Sequence, residues 1–305
     1  MDFLYLTFPI SGVETWAFNP PLVAFIVSFF TSMSGVSGAF VLLPYQMSVL
    51  NYTAPSVSGT NQLFNIVAIP MGVWRYVKEK RMVWPLTWAV IIGTLPGVLI
   101  GAWVRLEYLP DPENFKFFAG LVLVYIGIKL LTDTLKKDEK GPGRLKKGGE
   151  QKTDFVVTET RFTLKRVEFK FSGQDYSFPV PAVFFLCLVV GIVGGIYGIG
   201  GGAIVAPILV AFFHLPVYTV AGAALMGTFV TSVAGVIIYQ LLAPFYSTMS
   251  VAPDWHLGIL FGIGGFCGMY LGARCQKYLP ARAIKLILCF CVLAVAGKYI
   301  INFIA

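Results

Sequence analysis

Apolar stretches long enough to cross a lipid bilayer recur from Pro21 to the end of the chain, and almost no charge interrupts them. Charged residues fill only 12% of 305 positions, against 57% hydrophobic residues. A soluble domain carries about 25% charged residues. This chain lacks the charge to cover itself against water, so lipid must take much of its surface. Residues 1–20 contain Asp2 and Glu14 but no Lys or Arg, so they lack the basic start of a cleaved signal peptide. The expected fold class is an all-α polytopic membrane protein in the cell (inner) membrane.

The net charge of +8 could suggest a nucleic-acid partner. The basic residues instead sit in short connections and in one central loop. That distribution orients a membrane protein and does not build a nucleic-acid groove, so the expected partner is the bilayer. Cys187, Cys267, Cys275, Cys289 and Cys291 form no C-x-x-C pair and lie in or beside apolar stretches. They read as packing residues, and neither metal nor cofactor is expected.

The chain repeats itself. Gly35, Gly38, Pro44, Gly59 and Gly72 match Gly198, Gly201, Pro207, Gly222 and Gly235, each pair at one constant spacing. At a slightly longer spacing, Trp84, Gly93, Gly97 and Gly101 match Trp255, Gly264, Gly268 and Gly272. So many glycines in order point to duplication. Each half reads as four apolar stretches, at 20–50, 57–74, 84–104 and 115–132, then 180–213, 220–242, 255–273 and 283–304. The first of each half is too long for one span, too short for two, and split by glycine. It is expected to form two half-helices in a re-entrant hairpin.

Charge placement gives an expected topology. Arg75, Lys78, Lys80 and Arg81 crowd one short connection, and Arg274, Lys277, Arg282 and Lys285 another. The connection 243–254 has no basic residue. Basic connections stay cytoplasmic. The glycine-split stretch must then fail to cross, and each half crosses three times. An odd count makes the two halves inverted repeats, a hallmark of secondary transporters. The expected organisation is an extracellular segment at 1–19, a first transmembrane repeat at 20–135, a cytoplasmic loop at 136–178 and a second repeat at 179–305. Both termini lie outside. Within the loop, residues 136–152 read as polar and flexible. Phe162, Leu164, Val167, Phe169 and Phe171 alternate with charged residues before a turn at Ser172–Asp175, which reads as a small cytoplasmic β-hairpin. It reads first as an ordered linker and second as a device that gates transport or pairs two subunits into a homodimer.

Candidate binding residues follow from cost. A polar group inside a span is expensive and faces the bundle interior. Asn61 and Asn65 lie one turn apart on one helix with Thr60 and Gln62, and the equivalent helix carries Thr228, Thr231 and Ser232. Half-helices that start at mid-membrane present backbone N–H groups and partial positive charge, which suit an anion. Ser34, Gly35, Ser37 and Gly38 in one break, and Gly198, Gly200, Gly201 and Gly202 in the other, are therefore expected to bind a small anionic substrate; tight helix packing is the alternative. For Gly93, Gly97, Gly101 and their counterparts packing is the reading taken. Arg105 and Arg274 read as interface markers. No carboxylate lies deep in a span, so the usual proton relay is missing.

The run Gly195-Ile196-Tyr197-Gly198-Ile199-Gly200-Gly201-Gly202 through Pro207, with its weaker copy from Gly35 to Pro44, resembles the TauE/SafE family of sulfite and organosulfonate exporters. The resemblance covers both repeats; the central insert is longer than the family requires. It implies a transporter exporting sulfite, sulfoacetate or a related organosulfonate. The residues alone leave open an anion channel with the same site, and less readily a membrane enzyme or a receptor or scaffold acting through the central loop. No H-E-x-x-H, G-x-S-x-G or phosphate-binding loop is present.

Overall fold

The computed structural model describes residues 4–33, 37–80, 82–135, 157–163, 165–171, 174–275 and 281–304. Ser34 and Gly35, and the stretch 136–152 read as flexible, lie outside the described residues. The first half contains α1 (Asn19–Met33), α2 (Ala39–Ser48), α3 (Ser56–Ala68), α4 (Pro70–Lys78), α5 (Trp84–Glu107) and α6 (Pro112–Leu135). The second contains α7 (Val180–Tyr197), α8 (Gly202–Phe213), α9 (Val217–Leu242), α10 (Trp255–Cys275) and α11 (Ala281–Ile304). Among the described residues, α5, α6, α7, α9, α10 and α11 are each long and apolar enough to cross a membrane.

The packing exchanges between halves. Helix α5 packs on α7, and α10 packs on α1; α5 meets α9, and α10 meets α3. Two further pairs between the halves are α6 with α11 and α3 with α9. The glycine stripes make these contacts close. A Cβ on Gly93 would meet Cys187 Cβ at 2.6 Å, and one on Gly195 would meet Val98 O at 2.7 Å. Gly264, Gly268 and Gly272 lie against the backbone of Pro21, Phe25 and Phe29 in the same way. Small residues let helix backbones approach where no hydrophobic drive separates protein from lipid.

Three elements differ from the sequence expectation. Helix α7 is an 18-residue helix of spanning length, not a half-helix. Gly191, Gly194 and Gly195 stay helical within it, and it stops only where Gly198 adopts a left-handed φ of +82°. The single stretch 57–74 is two helices that meet at Ile69, because Pro70 has no N–H to continue the ladder. The insert is a three-stranded antiparallel sheet, β3 (Val157–Phe162), β4 (Arg166–Phe171) and β5 (Gln174–Pro179), not a hairpin. Val167, Phe169, Phe171 and Phe178 are buried on one face of it.

A second, two-stranded sheet occupies the N-terminal segment, with β1 (Tyr5–Phe8) and β2 (Val13–Trp16) paired about Gly12 at φ +68°. It is tied to the connection before α10. Ser11 Oγ donates to Asp254 Oδ2 at 2.8 Å, and Ser250 Oγ donates to Ile10 O at 2.7 Å. At the opposite end of α5, Val157 N donates to Lys80 O at 3.2 Å. The N-terminal sheet and the basic connection with its sheet thus mark opposite ends of the protein.

Candidate functional site

Helix α3 is buried along its length from Ser56 to Asn65, and its polar residues face inward together. Asn61 Nδ2 donates to Ala39 O at 3.0 Å and to Gly198 O at 3.1 Å, while its Oδ1 accepts from Gln46 Nε2 at 3.2 Å. One turn on, Asn65 Nδ2 donates to Ile199 O at 3.1 Å and Ser232 Oγ at 3.3 Å. Its Oδ1 accepts from Ser37 Oγ at 2.7 Å. Ser58 Oγ donates to Ile196 O at 3.0 Å, and Tyr197 OH donates to Phe40 O at 3.1 Å. The two chain breaks, one from each half, are therefore fastened to the same face of α3.

This fastening decides what each candidate can do. A side-chain amide carries two N–H donors. Both donors of Asn61 and both of Asn65 are engaged by protein acceptors, so in this arrangement these residues position the breaks. Thr228 Oγ1 donates to Ala224 O at 2.9 Å and Thr231 Oγ1 to Gly227 O at 2.7 Å, each within its own helix. Gln62 is different. It is fully buried, and neither its Nε2 nor its Oε1 has a hydrogen-bond partner. A buried unpaired amide costs about 1–3 kcal/mol, so a group that satisfied it would bind with that advantage.

The second break is built by glycine at each step. Gly198 and Gly200 hold left-handed φ values of +82° and +67°. A Cβ on Gly198 would lie 2.5 Å from Ser58 O. Gly200 lies against Thr228 and Ser232, Gly201 against Thr94, and Gly202 against Ala224 and Thr228. Helix α8 starts here without a side-chain cap, so its first N–H groups keep their donor capacity and the positive end of the helix dipole. In the first break Ser37 Oγ accepts from Ala39 N at 3.4 Å. Gly38 sits beside Ser28, whose buried Oγ is unpartnered. No Asp, Glu, Lys or Arg occurs in α3 or in 198–202, so every donor at the breaks is neutral. Among the described residues no group of His, Cys, Asp and Glu is arranged to hold a metal ion.

Sequence reasoning passed over Gln46, Ser58 and Tyr197. Gln46 is the polar residue inside an apolar helix, which was a usable signal; Ser58 and Tyr197 act through distant backbone carbonyls. Arg105, read as an interface marker, is fully buried. It falls four residues after Gly101, on the stripe that packs against α7.

Spanning helices around a buried set of neutral donors at two chain breaks define a multi-pass membrane transporter. The chain belongs to the TauE/SafE sulfite exporter family: the family model "Sulfite exporter TauE/SafE" matches residues 21–299. It is 23% identical over 266 residues to a protein of Bacillus subtilis (strain 168) named "Probable membrane transporter protein YunE", covering 84% of this chain and 87% of that one. A second protein of that organism, "Probable membrane transporter protein YdhB", is 28% identical over 101 residues, 32% of this chain and 37% of its own. No solved structure matches the chain.

Proposed function

We infer that this transporter exports a small sulfur-containing anion, such as sulfite, sulfoacetate or a related organosulfonate, through a site between the two helix breaks. The observation that carries this reading is the double hydrogen bond of Asn61 to Ala39 O and Gly198 O. It brings the two breaks together on α3, where the uncapped start of α8 offers donors; the unpaired amide of Gln62 lies on the same helix, against Gly235. Neutral donors suit the task. Half a positive charge at a helix end holds an anion without the grip of a buried arginine, so release is easy. The membrane potential, negative inside, drives an anion outward.

The topology that goes with this reading has both termini outside and the basic connections and three-stranded sheet in the cytoplasm of the inner membrane. The segments α1–α2 and α7–α8 form the broken arms of two inverted repeats, 20–135 and 179–305. The location of the two sheets at opposite ends of α5 supports it. The test is flux of labelled sulfite, sulfoacetate and sulfate in proteoliposomes of the purified protein. Saturable flux of at least one sulfur anion above protein-free vesicles is expected. Absence of flux for all three, with the protein folded and inserted, overturns the reading.

A further inference from the structure

Arg105 closes the glycine stripe of α5 in its last turn and is fully buried. Its guanidinium lies 3.7 Å over the Phe115 ring. Nη1 donates to Leu109 O, and Nη2 donates to Thr53 O at 3.5 Å. Nε is buried and has no partner. Among the described residues no carboxylate oxygen lies within 4.0 Å of it. Glu107, two residues on, instead accepts from Tyr246 OH at 3.3 Å at the exposed surface. Backbone carbonyls satisfy N–H groups but do not neutralise a cation. A permanently charged guanidinium sealed from water without a counter-ion is costly, and a small anion is the group that would relieve it.

Arg105 lies at the end of a series of buried polar groups that starts at the break. Tyr239 of α9 is fully buried and packs with Ala102 and Leu106, the neighbours of Arg105 on α5. Its hydroxyl donates to Gly195 O at 3.4 Å, less than one turn before Gly198. The polar groups therefore run from the break, past Ser58 and Tyr239, to Arg105 at the end of the protein that carries the N-terminal sheet.

We propose that Arg105 is the ligand of a second anion subsite, near the N-terminal-sheet end of the path, which takes a sulfur oxyanion or sulfonate leaving the breaks. The proposal rests on the export reading above. Its chemistry differs from that of the breaks: one cation with a free Nε–H, against a set of neutral donors. A charged donor binds an oxyanion more tightly than a neutral one.

The test is calorimetric titration of the purified detergent-solubilised protein with sodium sulfite, for wild type, Arg105→Gln and Arg105→Lys. The Gln variant is expected to lose about tenfold or more in affinity, the loss of one charge-assisted bond. The Lys variant, which keeps the charge but not the fork, is expected to fall between. An Arg105→Gln protein that melts lower yet binds sulfite as wild type does would make Arg105 a clasp for two carbonyls and overturn the proposal. If Arg105→Gln does not fold, Arg105→Lys carries the test, because it keeps the charge and removes the guanidinium fork. Sulfite is expected to bind it more weakly than wild type, and wild-type affinity overturns the subsite. Binding that depends on Arg105 in a protein that moves no sulfur anion would uphold the subsite and overturn export alone.

Discussion

Gln62 of α3 lies directly against Gly235 of α9, leaving no room for a Cβ there. The repeat places Leu225 opposite Gly72 in the equivalent pair, where a Cβ on Gly72 would meet Leu225 Cδ1 at an ordinary 3.5 Å. The matched positions share a geometry and divide the chemistry. Gln46, Asn61 and Gln62 correspond to Leu209, Ala224 and Leu225, so one half supplies side-chain amides. The other supplies glycine backbone at 198, 200, 201 and 202.

That asymmetry predicts unequal effects of one substitution at two matched sites. Gly235→Ala should displace the Gln62 amide and cut sulfite flux in proteoliposomes severalfold. Gly72→Ala should leave flux intact and raise the melting temperature slightly, since alanine in a helix is favoured by roughly 0.5–1 kcal/mol. Equal flux from the two variants would detach Gln62 from the transport path.

Asn61→Leu should act first on stability. It strands the carbonyl of Gly198 and the amide of Gln46 in a dry interior, at a cost of about 1–3 kcal/mol per unsatisfied group. Thermal unfolding in detergent should register the loss even without substrate. A variant as stable as wild type would mean that water replaces the amide.

At the second break Gly198→Ala should be far worse than Gly201→Ala. Alanine at φ +82° carries strain of about 1–2 kcal/mol and meets Ser58 O at 2.5 Å. Gly201 is in the right-handed helical region and would press on the Thr94 side chain, its methyl at 2.7 Å and its Cβ at 3.2 Å. Expression and melting temperature of the two purified variants decide the order.

Topology is open to labelling. In a background lacking the five native cysteines, Glu14→Cys should react with an impermeant maleimide in intact cells, and Asp175→Cys only after lysis. The reverse pattern would turn the whole protein over.

Much of this arrangement was readable beforehand. Gly198 and Gly200 announced a break because few other residues hold a left-handed φ, and the Gly93 and Gly264 stripes announced close packing because their spacing is helical. Asn61 and Asn65 were legible as an inward polar face. Their acceptors were not: Gly198 O is 137 residues away from Asn61, and backbone carbonyls carry no sequence signal. The strand β3, Val-Thr-Glu-Thr-Arg-Phe, was missed because its side chains are mostly polar and its pairing comes from β4. The N-terminal hairpin escaped notice for a similar reason, as its short strands are held by Asp254 from the far end of the chain. The burial of Arg105 was not legible because a charge near a helix end normally reaches for water; its position four residues after Gly101 was the available sign.

Strand β5 ends at Pro179 and α7 begins at Val180, with no residue between them. The sheet is bonded at its other edge, through Val157, to Lys80 in the first half of the chain. It thus links the two halves, joined directly to α7 and hydrogen-bonded through Val157 to the connection before α5. A pull on the sheet is a pull on the helix that ends at Gly198. Any force applied to the sheet is delivered, along one stiff rod, to the place where the chain breaks.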